Sequence, residues 1–139
     1  MAHVRSAILC DFAQVREGLL FVSSGGITRI AVPAIGSSVT FSAAGELEVL
    51  AHEAGATHEV SFKVVAVGTS TVVWEAALSI STSAAPGGLF PGESLHVPFA
   101  FPVGPFPTIE FGPHDLKVSI DNAETELLTF YVLQMATES

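Results

Sequence analysis

His58-Glu-Val-Ser-Phe-Lys-Val-Val-Ala-Val67, Gly68-Thr-Ser70 and Thr71-Val-Val-Trp-Glu-Ala-Ala-Leu-Ser-Ile80 follow one another without interruption. In the first run Val60, Phe62, Val64 and Ala66 take alternate positions, opposite Glu59, Ser61, Lys63 and Val65. In the last run Val72, Trp74, Ala76, Leu78 and Ile80 stand together, opposite Thr71, Glu75 and Ser79. A period of two belongs to a strand with one wet face, and the small polar triplet between the runs supplies the turn. The stretch predicts two neighbouring antiparallel strands.

The same pattern extends in both directions. Towards the C-terminus, Leu116, Val118 and Ile120 alternate with Asp115, Lys117 and Ser119; Asp121-Asn-Ala-Glu124 turns, and residues 125–133 return as a last strand. Towards the N-terminus, Leu47, Val49 and Ala51 alternate with Glu46, Glu48 and His52, and Ala7-Ile-Leu-Cys-Asp-Phe12 reads as a first strand. Residues 19–24 and 27–32 flank Gly25-Gly26, a pair that predicts a hairpin because glycine supplies positive φ freely. Residues 13–18 have room for one helical turn, ended by Gly18. About eight or nine strands without a convincing helix cannot build a parallel α/β sheet. The expectation is an all-β fold, a two-sheet antiparallel β-sandwich of immunoglobulin-like or jelly-roll-like type, as a single domain over residues 1–139 with a frayed tail at 135–139.

Composition narrows the function classes. The chain is 49% apolar and only 14% charged, which excludes disorder. Its formal charge is −9, and the cations Arg5, Arg16, Arg29, Lys63 and Lys117 are scattered. Nucleic acids and anionic membranes both require clustered cations, so neither is an expected partner. Cys10 is the only cysteine, so no internal disulfide can form. The apolar run after the N-terminus is cut short by Asp11, too soon for a secretory signal, and no uncharged run spans a bilayer. The expected location is cytoplasmic.

Seven of eight prolines and five of ten phenylalanines lie between Pro86 and Pro113. Within this block Leu95, Val97, Phe99 and Phe101 alternate with Ser94, His96, Pro98 and Ala100, and Pro98 assigns that strand to an edge or a bulge. Residues 102–107 then run extended ahead of successive prolines. One reading makes the phenylalanines a plug for the open sandwich. The other makes Phe90, Phe99, Phe101 and Phe106 an exposed partner surface, most naturally for a homodimer or other homo-oligomer, with an edge strand open to β-augmentation.

Candidate chemistry is sparse. His52 and His58 bracket a turn near Glu48, Glu53 and Glu59, but no metal-ligand spacing accompanies them, and a solvated hairpin accounts for the stretch. Cys10 beside Asp11 lacks the cationic setting that activates a thiol and reads as a buried structural cysteine. His114-Asp115 has no serine elbow to serve. Ser23-Ser-Gly-Gly26 sits between strands, not before a helix, so it is no phosphate loop. Trp74 alternates in phase with the core. No catalytic residue, metal or cofactor follows, and an enzyme is not expected.

Asp11, Ala13, Val15, Gly18, Leu20, Gly25 and Gly26 carry a likeness across residues 7–30. This opening resembles that of a family of small bacterial β-sandwich proteins of unknown function, frequent in actinobacteria. Its members commonly have tryptophan after the glycine pair, where this chain has Ile27. The resemblance implies a β-sandwich and transfers no activity. Asp11 and Gln14 can bond a bend, or Asp11, Gln14, Arg16 and Arg29 can line a site at one end of the sandwich. The leading expectation is a non-catalytic structural or interaction module that self-associates; the alternative is a small-ligand or metal-binding module at that end.

Overall fold

Nine strands, numbered in chain order, account for most of the computed structural model, which describes residues 2–53, 55–81 and 90–136. They are β1 (His3–Arg16), β2 (Leu19–Gly25), β3 (Arg29–Val32), β4 (Ser38–Val49), β5 (Thr57–Ala66), β6 (Thr71–Ser81), β7 (Leu95–Pro107), β8 (Gly112–Ile120) and β9 (Ala123–Gln134). They form a four-stranded sheet in the order β2-β1-β4-β7 and a five-stranded sheet in the order β3-β9-β8-β5-β6. All pairings are antiparallel except β3 with β9 at the edge. The fold is a two-sheet β-sandwich. Among the described residues the only helical element is a 3-10 turn at Ala51–Glu53, and no helix is long and apolar enough to cross a membrane. The start of the proline-rich block, residues 86–89, and the tail at 137–139 lie outside the described residues.

Alternation places one face of each sheet in a shared core. Val60, Phe62 and Val64 of β5 face inward beside Leu116, Val118 and Ile120 of β8, and all six are buried. The other sheet contributes Phe41, Ala43, Leu47 and Val49 from β4 and Phe99, Val103 and Phe106 from β7. Phe62 crosses between the layers, its ring centroid 4.3 Å from Phe101 and 5.6 Å from Phe99. Phe101 in turn stacks on Trp74 of β6 at 6.3 Å, with 6° between the rings. Such aromatic pairs add about 0.5–1.5 kcal/mol each beyond the area they bury. This cluster closes the β6 and β7 side of the sandwich.

Three expectations need correction. Gly25-Gly26 does not turn a hairpin: β2 pairs with β1 and β3 with β9, so the glycines begin a crossover between sheets. Gly26 and Ile27 both donate their backbone N–H to the Leu9 carbonyl as the chain leaves. The hairpin is instead β1–β2, closed at Arg16↔Leu19 by Glu17 and Gly18 with φ of 53° and 73°. Two successive positive φ values make the primed turn that matches strand twist, and residues 13–16 are strand, not a helical turn. Second, Val72 leaves the core face. Val64 pairs with Trp74 and Val65 with Val72, so Val73 is an extra residue that reverses the alternation, and Val72 is exposed. Third, β4 begins at Ser38, well before Glu46, and ends in the turn that contains His52.

Gly45 explains why the middle of β4 tolerates small residues. The strand lies between β1 and β7, and a Cβ at Gly45 would collide with the Ser6 carbonyl oxygen and lie 2.7 Å from Cζ of Phe99. A side chain here would push one backbone or the Phe99 ring out of the core. Gly45→Ala is therefore expected to destabilise the fold by ~1–3 kcal/mol, as overpacking does, measured as a lower urea midpoint with an unchanged m-value. An undiminished midpoint would show that β1 can move aside freely.

Candidate functional site

The four phenylalanines offered as a partner surface do not share one environment. Phe106 is 1% exposed and Phe99 is also buried, both on the inward phase of β7, so neither can serve as partner surface. Phe101 is half-buried in the aromatic cluster. Only Phe90 stays outside, 79% exposed on a turn where its N–H donates to Glu93 Oε1 at 3.0 Å. β7 is an edge strand, as Pro98 requires, and the extended 102–107 segment belongs to it. Its open side is a poor template. Pro98 pairs with Glu46 and Pro102 with Ser42 while the ladder to β4 continues, so both donor-less nitrogens must face outward.

The residues grouped at one end of the sandwich separate. Asp11, Gln14 and Arg16 lie on β1, but Gln14 and Arg16 share one face and Asp11 the other. Arg29 lies on β3 of the opposite sheet, paired with Tyr131. The metal reading separates too. His52 is exposed beside Glu53, whereas His58 is buried, in phase with Val60 and Phe62. Among the described residues no cluster of His, Cys, Asp and Glu is arranged to hold a metal ion. That shared phase was the available signal against a solvated His58.

His58 has a different partner. Its Nδ1–H donates to Asp121 Oδ2 at 2.9 Å, and Asp121 Oδ1 accepts the Glu59 N–H at 3.1 Å. The Asp121 carboxylate holds the imidazole pKa above its ordinary value, against desolvation, and the imidazole holds the Asp121 pKa below its own. Cys10 is fully buried, its Sγ 3.6 Å from the Ser42 carbonyl, and burial raises the thiol pKa, with Asp11 adding to the effect. His114 and Asp115 point to opposite faces: His114 is buried and donates from Nδ1 to the Gly112 carbonyl, while Asp115 accepts from Thr129 Oγ1. They form no dyad. Glu110 accepts from the N–H and hydroxyl of Thr69, which lowers its pKa and ties the β5–β6 turn to the β7–β8 connection.

Five exposed large apolar side chains lie on one element, the β1–β2 arm. β1 pairs with β4 only as far as Cys10; from Phe12 to Arg16 its pairing is with β2 alone. Among the described residues, no further strand pairs with this two-stranded ribbon along either margin. One face carries Phe12, Phe21 and Leu19 with Gln14 and Arg16; the other carries Ala13, Val15, Leu20 and Val22. Phe12 is 57%, Leu19 63% and Phe21 50% exposed, and Val15 and Val22 are exposed as well. A lone hairpin is marginal in water, and clustered exposed apolar residues mark contacts. Sequence periodicity missed the arm because a strand apolar on both faces looks the same whether buried or bare.

Residues 5–133 match DUF6941, a family of unknown function. The chain belongs to this family. The match reaches far past the first thirty residues on which the resemblance rested, and takes in the exposed residues of the arm, from Phe12 to Val22. No curated protein is similar enough to be matched with the chain.

The His58–Asp121 pair generates a pH prediction. The raised His58 pKa contributes stability fully below about pH 6.5 and loses it as pH rises through the folded-state value. The lowered Asp121 pKa contributes above about pH 3.9 and loses it as pH falls. Asp121→Asn suits the positive φ of 49° at this turn. Its melting temperature should fall furthest below the parent's between about pH 4 and 6.5 and converge on it towards pH 9. A deficit constant with pH would remove the ion pair as its cause.

Proposed function

We propose that this protein acts by protein contact, as a non-catalytic β-sandwich in the bacterial cytoplasm that self-associates through the β1–β2 arm. The observation that carries the reading is the exposure of Phe12, Leu19 and Phe21 on a ribbon with which no other strand pairs among the described residues. Both binding modes of a sheet are open to it: apolar side chains can pack face to face, and the free β2 margin can add a strand. A second copy meets each requirement, since it presents the same apolar face and the same free margin, and two-fold pairing is the commonest way such surfaces close. The acidic charge of −9 weighs against nucleic acid and anionic lipid as occupants. A single buried thiol suits a reducing compartment.

Phe12→Ser with Phe21→Ser tests the reading. Both rings are more than half in water or nearly so, so their loss should leave the melting temperature close to the parent's. Light scattering on a sizing column should show an oligomer for the parent and a monomer for the variant, with the dissociation constant weakened at least about tenfold, as for hot-spot aromatics. A parent that stays monomeric at high concentration, or a variant of unaltered size, defeats the reading.

A further inference from the structure

We propose that a groove on the outer face of the five-stranded sheet binds a small organic acid: one carboxylate on a flat apolar body. The groove has a volume of about 530 Å³, within the usual range for small-molecule sites. It is built by register. Arg29 of β3 stands beside Tyr131 of β9, which stands beside Pro113 of β8, and the next row on the same face pairs Ala31 with Leu133. Phe111, at the approach to β8, completes the apolar wall, and Gln134 lies at the rim, donating to the Pro33 carbonyl at 3.3 Å.

Two small residues lie at the groove. Gly112 lines it, and a Cβ built there would meet nothing within 4 Å; Ala31 borders it, paired with the lining Leu133. Phe111 and Tyr131 leave aromatic surface in water, 37% and 49% exposed. Apolar walls with one convergent charged group are the usual composition of a ligand site.

The charge selects the ligand. Lys63 and Lys117 both reach Glu124, at 2.8 and 3.8 Å. Among the described residues no carboxylate lies within ion-pair distance of Arg29, in a chain with 14 acidic and five basic residues. A guanidinium matches a carboxylate with two parallel N–H donors, and Tyr131 beside it offers a hydroxyl and a ring face for a flat body. One cation inside a field of −9 suits a single negative charge, not a di- or triphosphate.

Anilinonaphthalene sulfonate, an aromatic anion, is the probe, titrated by fluorescence into the intact protein. The expected result is saturable one-to-one binding, displaced by naphthaleneacetate but not by its uncharged isostere naphthaleneacetamide. Arg29→Gln should weaken binding about tenfold or more, the effect of losing a charge-assisted pair, and Ala31→Phe should block it while keeping the charge. Phe21→Ser, on the arm, should leave it unchanged. Both groove positions are exposed, and circular dichroism would check that their variants stay folded. No saturable binding, equal displacement by acid and amide, indifference to Arg29→Gln, or loss with Phe21→Ser alone would each overturn the proposal.

Discussion

Phe62 holds the two sheets to one another. It belongs to the five-stranded layer, yet its ring lies between Phe99 and Phe101 of the other, and Phe101 hands the contact on to Trp74. A sandwich has no hydrogen bonds between its layers; side-chain burial alone sets their spacing. The same constraint reaches β4, where Gly45 must stay bare so that the Phe99 ring can lie across it. Core geometry therefore dictates a residue whose absence of a side chain looks, in sequence, like a weakness in the strand.

Apolar residues are used in two opposite ways. In β7 they face inward, and prolines guard the outside, where a bare edge would invite pairing. On the β1–β2 arm exposed apolar residues stand on both faces, and neither strand carries a proline. That asymmetry, more than any single exposed ring, moves the candidate contact surface from the C-terminal half of the molecule to its N-terminal hairpin.

Much of this was legible in the sequence, and the failures have physical causes. Each of the nine strands overlaps a run that reads as strand in the sequence, most clearly where alternation marks one wet face and one dry face. β4 was read too short because Ala43-Ala44-Gly45 carry little strand propensity; their position between two other strands, not their own preference, makes them strand. Gly25-Gly26 resembles a hairpin turn because the positive φ of Gly26 serves a crossover as well. Phase also held information that was not used: His58 alternates with Val60 and Phe62, which forecasts burial, and Phe99 shares its phase with Val97 and Leu95. The arm was hidden for a different reason. Its residues are as apolar as a core strand's, and only the register with β4, which ends at Cys10, leaves Phe12, Leu19 and Phe21 exposed.

The prolines of β7 have a consequence for growth. The four-stranded layer has two outer margins, and Pro98 and Pro102 seal one of them against a further ribbon. Of that layer's two outer strands, β2 alone is free of proline. Two copies joined by a half-turn across β2 would leave the proline-bearing β7 strands outermost in the combined layer, and those resist a further strand.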